Sequence, residues 1–333
     1  VLSFSLVLLA LPWTVTADDR RGAWSALAPW PIVPIHATLL PDGRLLTFGT
    51  TRGGAPTGRF VYDVWDPTAG LRRGHLTLPN GTATDIFCSA ASVLPLTGEV
   101  LIAGGDLYRN GEISQLGNPD TTLFRPATNQ LASGPRMSRP RWYATTTALT
   151  DGAVYIQGGR GADPAALDAN SDHPERRDPD GSIRLLDRAD TSDLYWYYPR
   201  NWLAPDGRVF GYSDRSMYFV DPRGRGMLSG AGTLPGGGPA RYTSSEVMFR
   251  PGRILRAGGG DDYGAGSAGA YVIDINGPVP QVTPTAAMPQ GLHWHNAVVL
   301  ADGRVAVIGG SRAGNRLAGV NATPFIWDPA TGR

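Results

Sequence analysis

An all-β propeller is the fold the sequence predicts, and three recurring features predict it. A glycine turn returns about every fifty residues: Asp42-Gly43, Thr97-Gly98, Asp151-Gly152, Asp206-Gly207, Pro251-Gly252 and Asp302-Gly303, at steps of 55, 54, 55, 45 and 51 residues. A short apolar strand precedes most of these turns, and a second strand closed by small residues follows. Later in most units an aromatic or apolar strand ends in a turn of its own. Composition agrees: 44 glycines, 28 prolines and 9 tryptophans in 333 residues fit many short strands joined by tight turns.

Each element has a local reason. The leading strands, at 37–40, 90–94, 145–149, 247–249 and 297–300, are short apolar runs that a half-buried sheet accepts. The turn glycine supplies the positive φ of a tight hairpin. The following strands end in Gly104-Gly105, Gly158-Gly159 and Gly309-Gly310, where missing side chains allow backbones to approach closely. The closing strands are read at Trp65-Asp66-Pro67, Phe124-Arg125-Pro126, Phe219-Val220-Asp221-Pro222 and Trp327-Asp328-Pro329. A repeat of this length and order matches a kelch-type blade. One four-stranded sheet cannot bury both faces alone, and stacking blades about an axis does so. Six repeats are counted from about His36 to the last residue. The stretch 160–193, polar and rich in Asp, Arg and Pro, reads as a solvated excursion between strands.

Net charge is +1 and every basic residue is arginine, which gives no field for nucleic acid or an acidic membrane. Residues 1–17 read as part of a secretory signal peptide, so the protein is expected to be secreted, extracellular or at the cell surface. The propeller is expected over 18–333. The apolar run is too short for a membrane span. The single cysteine, Cys88, cannot make an internal disulfide and is either a buried bystander or a reactive group.

The turns serve as a ruler for chemistry. Cys88 lies ten residues before Gly98, and Tyr143 nine before Gly152, so both fall at the start of the inner strand in adjacent blades. Tyr198, Tyr242 and His293-Trp294 hold the equivalent places elsewhere. One end of the central channel thus gathers a thiol, phenols, an indole and imidazoles. His293 and His295, two apart on a strand, share a face that suits either metal ligation or pocket lining. Arg200 opens the fourth inner strand. Its guanidinium suits either substrate oxygens or an ion pair between blades. His75 and His173 read as loop residues.

Asp85-Ile86-Phe87-Cys88-Ser89-Ala90 and Arg141-Trp142-Tyr143-Ala144-Thr145-Thr146, set in the repeat framework, resemble the galactose oxidase and glyoxal oxidase family of copper-radical oxidases, from about Pro31 to Arg333. That resemblance implies a seven-bladed propeller. It implies a thioether between Cys88 and Tyr143, with Tyr143 also a copper ligand and the seat of a radical. The activity implied is oxidation of a primary alcohol or an aldehyde, sometimes a carbohydrate, with O2 reduced to H2O2. It places Arg200, Trp294 and His295 on the substrate side. The remaining Tyr and His copper ligands are then expected beyond Arg333, with the last blade and a C-terminal β-sandwich domain. No tryptophan follows Gly158-Gly159, where Arg160-Gly161 stand, so the resemblance does not extend to galactose specificity. The alternative is a non-catalytic kelch module that binds protein or glycan on its loops.

Overall fold

A computed structural model describes residues 23–163, 170–235, 243–261, 264–314 and 316–333. The expected signal segment at 1–17 and Tyr242 lie outside them. The described chain is all-β apart from two single-turn 3-10 helices, Pro67–Ala69 and Leu317–Gly319. It forms a propeller of six sheets, each an antiparallel meander.

Blade 1 comprises Val33–Leu39, Leu45–Thr50, Val61–Trp65 and His75–Pro79. Blade 2 comprises Ala90–Val93, Val100–Ala103, Thr121–Arg125 and Gln130–Ser133, with a hairpin, Asp106–Arg109 and Glu112–Gly117, let into it. Blade 3 runs through Trp142–Ala148, Val154–Arg160, Glu175–Arg177 and Ile183–Leu185, and blade 4 through Arg200–Leu203, Val209–Ser213, Ser216–Asp221 and Met227–Thr233. Blade 5 has Ser244–Arg250, Arg253–Gly258, Ala270–Asp274 and Gln281–Thr285; blade 6 has His293–Val299, Val305–Ser311 and Phe325–Trp327. The first strand of each blade packs against first strands of its neighbours, so it is the inner one.

The turn glycines do what the repeat requires. Gly43, Gly98, Gly152, Gly207, Gly252 and Gly303 all have φ between 69° and 85°. In blade 1 the Leu40 and Arg44 backbones pair across the turn, and the Asp42 carboxylate accepts from the Arg44 amide. A three-residue loop ending in a left-handed glycine is a standard hairpin closure.

The cores lie between blades. Leu46, Phe48, Tyr62 and Val64 of blade 1 meet Val100, Ile102 and Phe124 of blade 2. On the other face of the same strand, Leu101 and Ala103 meet Ala144, Val154 and Ile156 of blade 3. The period of two splits one strand between two cores, which is why it is apolar throughout. Further clusters join blades 3 and 4, 4 and 5, and 5 and 6. Among the described residues no such cluster joins blade 6 to blade 1.

The polar stretch at 160–193 is a correction to the sequence reading. It supplies the third and fourth strands of blade 3, and Glu175 in it is fully buried. Charge disguised these strands. Glu175 is neutralised by buried Arg141 at 2.9 Å, and Arg176 by Asp151 and Asp178 at 2.5 and 2.6 Å. His75 likewise stands in a strand, with Nδ1 2.7 Å from Asp63, and not in a loop.

Candidate active site at the starts of the inner strands

Four residues just before or within the first turn of inner strands share an unusual backbone. Cys88, Tyr143, Tyr198 and Trp294 have φ of 57°, 66°, 43° and 57°. For side chains of this size the left-handed region costs about 1–2 kcal/mol each. The compensation is a set of hydrogen bonds passed from blade to blade. The Tyr143 amide donates to the Cys88 carbonyl at 2.9 Å, the Tyr198 amide to the Tyr143 carbonyl at 3.0 Å, and the Trp294 amide to the Thr243 carbonyl at 2.9 Å. The Cys88 amide in turn donates to Nε2 of His36, at 3.2 Å. His36 lies stacked on Phe48, and burial lowers its pKa to about 4, so it is a neutral acceptor. Sequence reasoning gave His36 no role. Its place on the inner strand of blade 1 was the available signal.

These turns set the Cys88 and Tyr143 side chains close enough for each to shift the other's ionisation. Burial, with smaller contributions from Asp106 and Asp85, pushes the thiol up to about 12. Burial and the adjacent Cys88 hold the Tyr143 phenol above its ordinary value. The Tyr198 ring, its phenol also raised by burial, lies tilted at 4.8 Å from Tyr143; Tyr197 lies at 4.4 Å and Trp142 at 4.0 Å. The cluster is thus a protonated thiol and phenol walled by rings.

Two buried carboxyls stand beside it. Asp85 precedes Cys88 by three residues and is held by the Phe87 amide at 3.0 Å. Asp106 begins the hairpin of blade 2. Burial raises Asp85 to about 6; burial and the neighbouring Asp85 raise Asp106 to about 8. Asp85 Oδ2 and Asp106 Oδ1 have no hydrogen-bond partner. The glycine pair permits this crowding: a Cβ on Gly105 would stand 2.3 Å from the Asp85 carbonyl oxygen, and one on Gly104 2.1 Å from that of Arg141.

Arg141, in the same motif as Tyr143, is a fully buried tie. Its guanidinium grips Glu175 Oε2 through Nε and Nη2 and reaches the carbonyls of Gly158 and His173, both at 2.7 Å. Glu175 Oε1 accepts from the Ser138 amide. This clamp fixes the segment that leads into Tyr143.

Arg200 is placed in an ion pair, 2.7 Å from Glu246 of blade 5. It also donates to the carbonyls of Tyr198 and Ser244 at 3.3 Å, bridging blades 4 and 5. Burial pulls Glu246 upward, but Arg200 and Arg256 hold it below the usual carboxylate range. About a quarter of the Arg200 side chain stays exposed. Trp294 is half-exposed, whereas His295 is buried against blade 5 and lowered to about 4 by burial. The structure therefore separates the two residues of the Trp294-His295 pair.

A copper centre of the expected kind needs imidazole nitrogen beside the phenol. Tyr143 suits an oxygen ligand. Four of the described histidines are engaged elsewhere: His36 by the Cys88 amide, His75 by Asp63, His173 by Asp172, and His293 by Thr243 and the Gly264 carbonyl; the fifth, His295, is buried against blade 5 with neither ring nitrogen hydrogen-bonded. Among the described residues no three His, Cys, Asp or Glu side chains converge in a metal-holding group. These residues alone do not compose the copper site.

Comparison with known proteins bears on the family and the fold. A family model described as "Glyoxal oxidase N-terminus" matches residues 77–250. Galactose oxidase of Gibberella zeae is 26% identical over 347 residues, covering 91% of this chain and 48% of the relative. Aldehyde oxidase GLOX of Vitis pseudoreticulata is 27% identical over 346 residues, covering 91% and 62%. The chain spans about half to three-fifths of the length of these relatives. A solved structure of a fungal alcohol oxidase of the AA5 family, in complex with copper, superposes with a TM-score of 0.76 at 22% identity, over 94% of this chain and 66% of that one. It supports the fold.

Proposed function

The chain belongs to the glyoxal oxidase N-terminus family, and from that premise we propose that it is the propeller of a copper-radical oxidase. The observation that carries the reading is the adjacency of Cys88 and Tyr143, presented by matching left-handed turns of neighbouring blades and joined by the bond from the Tyr143 amide to the Cys88 carbonyl at 2.9 Å. With the thiol raised to about 12, the pair is protonated at neutral pH, and thiolate attack is closed to it. Oxidative coupling is open. A bond forms between Sγ and the ring carbon next to the phenol hydroxyl, the S–H and C–H hydrogens leave as two protons and two electrons, and O2 takes them up as H2O2.

Tyr143 serves as one copper ligand, and the imidazole ligands come from polypeptide outside this chain. The whole protein then converts a primary alcohol and O2 into an aldehyde and H2O2, or an aldehyde hydrate and O2 into a carboxylic acid and H2O2. The propeller's own part is orientation: the Arg141–Glu175 clamp and the chain of interblade amides hold the phenol, and the surrounding rings limit water. Trp294 and the exposed edge of Arg200 face the substrate. His295, turned toward blade 5, has no part in that contact.

A seventh blade between blade 6 and blade 1 belongs to the same reading. The inner strand of blade 1 exposes Val33, Ile35 and Leu39, and that of blade 6 exposes Val298 and Val299. One further sheet would cover both faces. Export, from the segment at 1–17, completes the proposal.

The test is covalent. Full-length protein matured with copper under air should yield a single peptide species joining the Cys88 and Tyr143 segments, two mass units lighter than their sum. Cys88→Ser should abolish it. Unlinked peptides in copper-replete protein would overturn the oxidase reading and leave a kelch-type binding module.

A further inference from the structure

The loop entering blade 4, Leu194-Tyr195-Trp196-Tyr197-Tyr198, carries four aromatic residues in a row. Aromatic rings that serve only a core would be covered. Tyr195 is 38% exposed, at the rim of a cleft that Asn170, Asp193, Ser213 and Asp214 also line. From this surface ring, two lines of contact run inward. In one, Tyr195 stacks on Tyr197 at 6.3 Å between centroids, and Tyr197 meets Tyr143 at 4.4 Å. In the other, Tyr195 meets Trp196 at 5.9 Å, Trp196 stacks on Trp142 at 6.3 Å, and Trp142 meets Tyr143 at 4.0 Å. Every step is within aromatic contact range, and every ring on both lines is a phenol or an indole, the two ring types most readily oxidised by one electron.

We propose that these rings form a one-electron relay between Tyr143 and an outer-sphere oxidant at the surface by Tyr195. Tunnelling falls off exponentially with distance, so a few contacts between π-systems carry charge faster than one jump of the same total length. The oxidant accepts one electron from Tyr195 or Trp196 and is reduced by one. The electron missing there is refilled ring by ring from Tyr143, which ends as the neutral phenoxyl. Its hydroxyl proton leaves to solvent at the half-buried ring. The oxidant required is a soluble one-electron acceptor, such as a metal complex too bulky to enter the cluster. The relay's physiological use rests on the redox role proposed above for Tyr143, but its operation does not need copper.

The experiment uses metal-free full-length protein and hexachloroiridate(IV), with tyrosyl radical followed by freeze-quench electron paramagnetic resonance. Tyr143→Phe assigns the signal. Phenylalanine keeps ring packing while resisting oxidation, so Trp196→Phe/Tyr197→Phe interrupts both lines with little loss of fold, which thermal melting checks. The double variant is expected to form the Tyr143 radical about tenfold more slowly or worse, and Tyr197→Phe alone to be slowed less, since the indole line remains. Formation within twofold of the parent in the double variant overturns the relay, as does failure of the parent to form a Tyr143 radical. Peptide mapping for the Cys88–Tyr143 linkage is read separately on copper-matured protein, so loss of the oxidase reading and loss of the relay are distinguishable.

Discussion

Two sectors of the same ring are built on one backbone plan and filled with opposite chemistry. At blades 2 to 4, left-handed Cys88, Tyr143 and Tyr198 pass amide hydrogen bonds from blade to blade and enclose a neutral thiol, phenols and indoles. At blades 5 and 6, Trp294 repeats the left-handed turn and the interblade bond, yet the side chains behind it are His293, His295, Glu246, Arg200 and Arg256. Among the described residues the first sector sets no cation around Cys88 and Tyr143, and burial raises Asp85 and Asp106 beside them. The second concentrates charge and neutralises it by pairing. The comparison teaches that blades 2, 3, 4 and 6 share one turn that presents a single side chain, and that reactivity is decided by what stands behind it.

The largest expected effect comes from introducing an unpaired charge into the first sector. Arg141→Met leaves Glu175 fully buried without its partner, and removal of one member of such a pair costs about 3–5 kcal/mol. The denaturation midpoint should drop accordingly. Adding Glu175→Leu should recover most of the loss, because an apolar pair of similar volume is tolerated where a lone charge is not. If Arg141→Met alone is neutral, the clamp is not what holds the segment leading to Tyr143.

A second test uses pH. Asp85 and Asp106 have folded pKa values of about 6 and about 8, above those of free carboxyls. In the unfolded chain both ionise near pH 4, whereas in the native state Asp85 holds its proton up to about pH 6 and Asp106 up to about pH 8. Stability from these groups is therefore complete below pH 4 and declines as pH rises through 8. Asp106→Asn should be more stable than the parent at pH 8, by about 2 kcal/mol after allowance for screening, and show no such gain at pH 4. His36 and His295 act in the opposite sense. Both are lowered to about 4 by burial, so the unfolded state takes up protons first and stability falls as pH drops from about 6.5 to 4. Urea melts at pH 4, 6 and 8 separate the two. A gain from Asp106→Asn that does not depend on pH would remove the carboxyl pair from the account.

Much of this contrast was legible in the sequence, and the rest was hidden for physical reasons. Turn glycines announce themselves because only positive φ explains their spacing, and counting back from Gly98 and Gly152 located Cys88 and Tyr143 on neighbouring blades. Long-range charge pairing is not visible in that way. Arg200 could be read toward substrate or toward another blade, and only the fold shows Glu246 facing it. Glu175–Arg177 reads as solvated because buried ion pairs abolish the polar–apolar alternation that marks a strand. His36 offers only its place on an inner strand, since the amide it serves lies 52 residues away in sequence.

The smallest expected effect bears on the shared turn itself. If the left-handed conformation belongs to the propeller and the side chain to the chemistry, a residue at ease with positive φ should be accepted where the ring is exposed. Trp294→Asn relieves about 1 kcal/mol of backbone strain and gives up the packing of a half-exposed indole, so melting should move by about 1 kcal/mol or less in either direction. Tyr143→Asn relieves the same strain but removes a ring that touches Trp142, Tyr197 and Tyr198, and should cost about 2–4 kcal/mol. An equal cost at both positions would mean that the turn is held by its backbone bonds alone, and that the aromatic wall around Tyr143 contributes nothing to its placement.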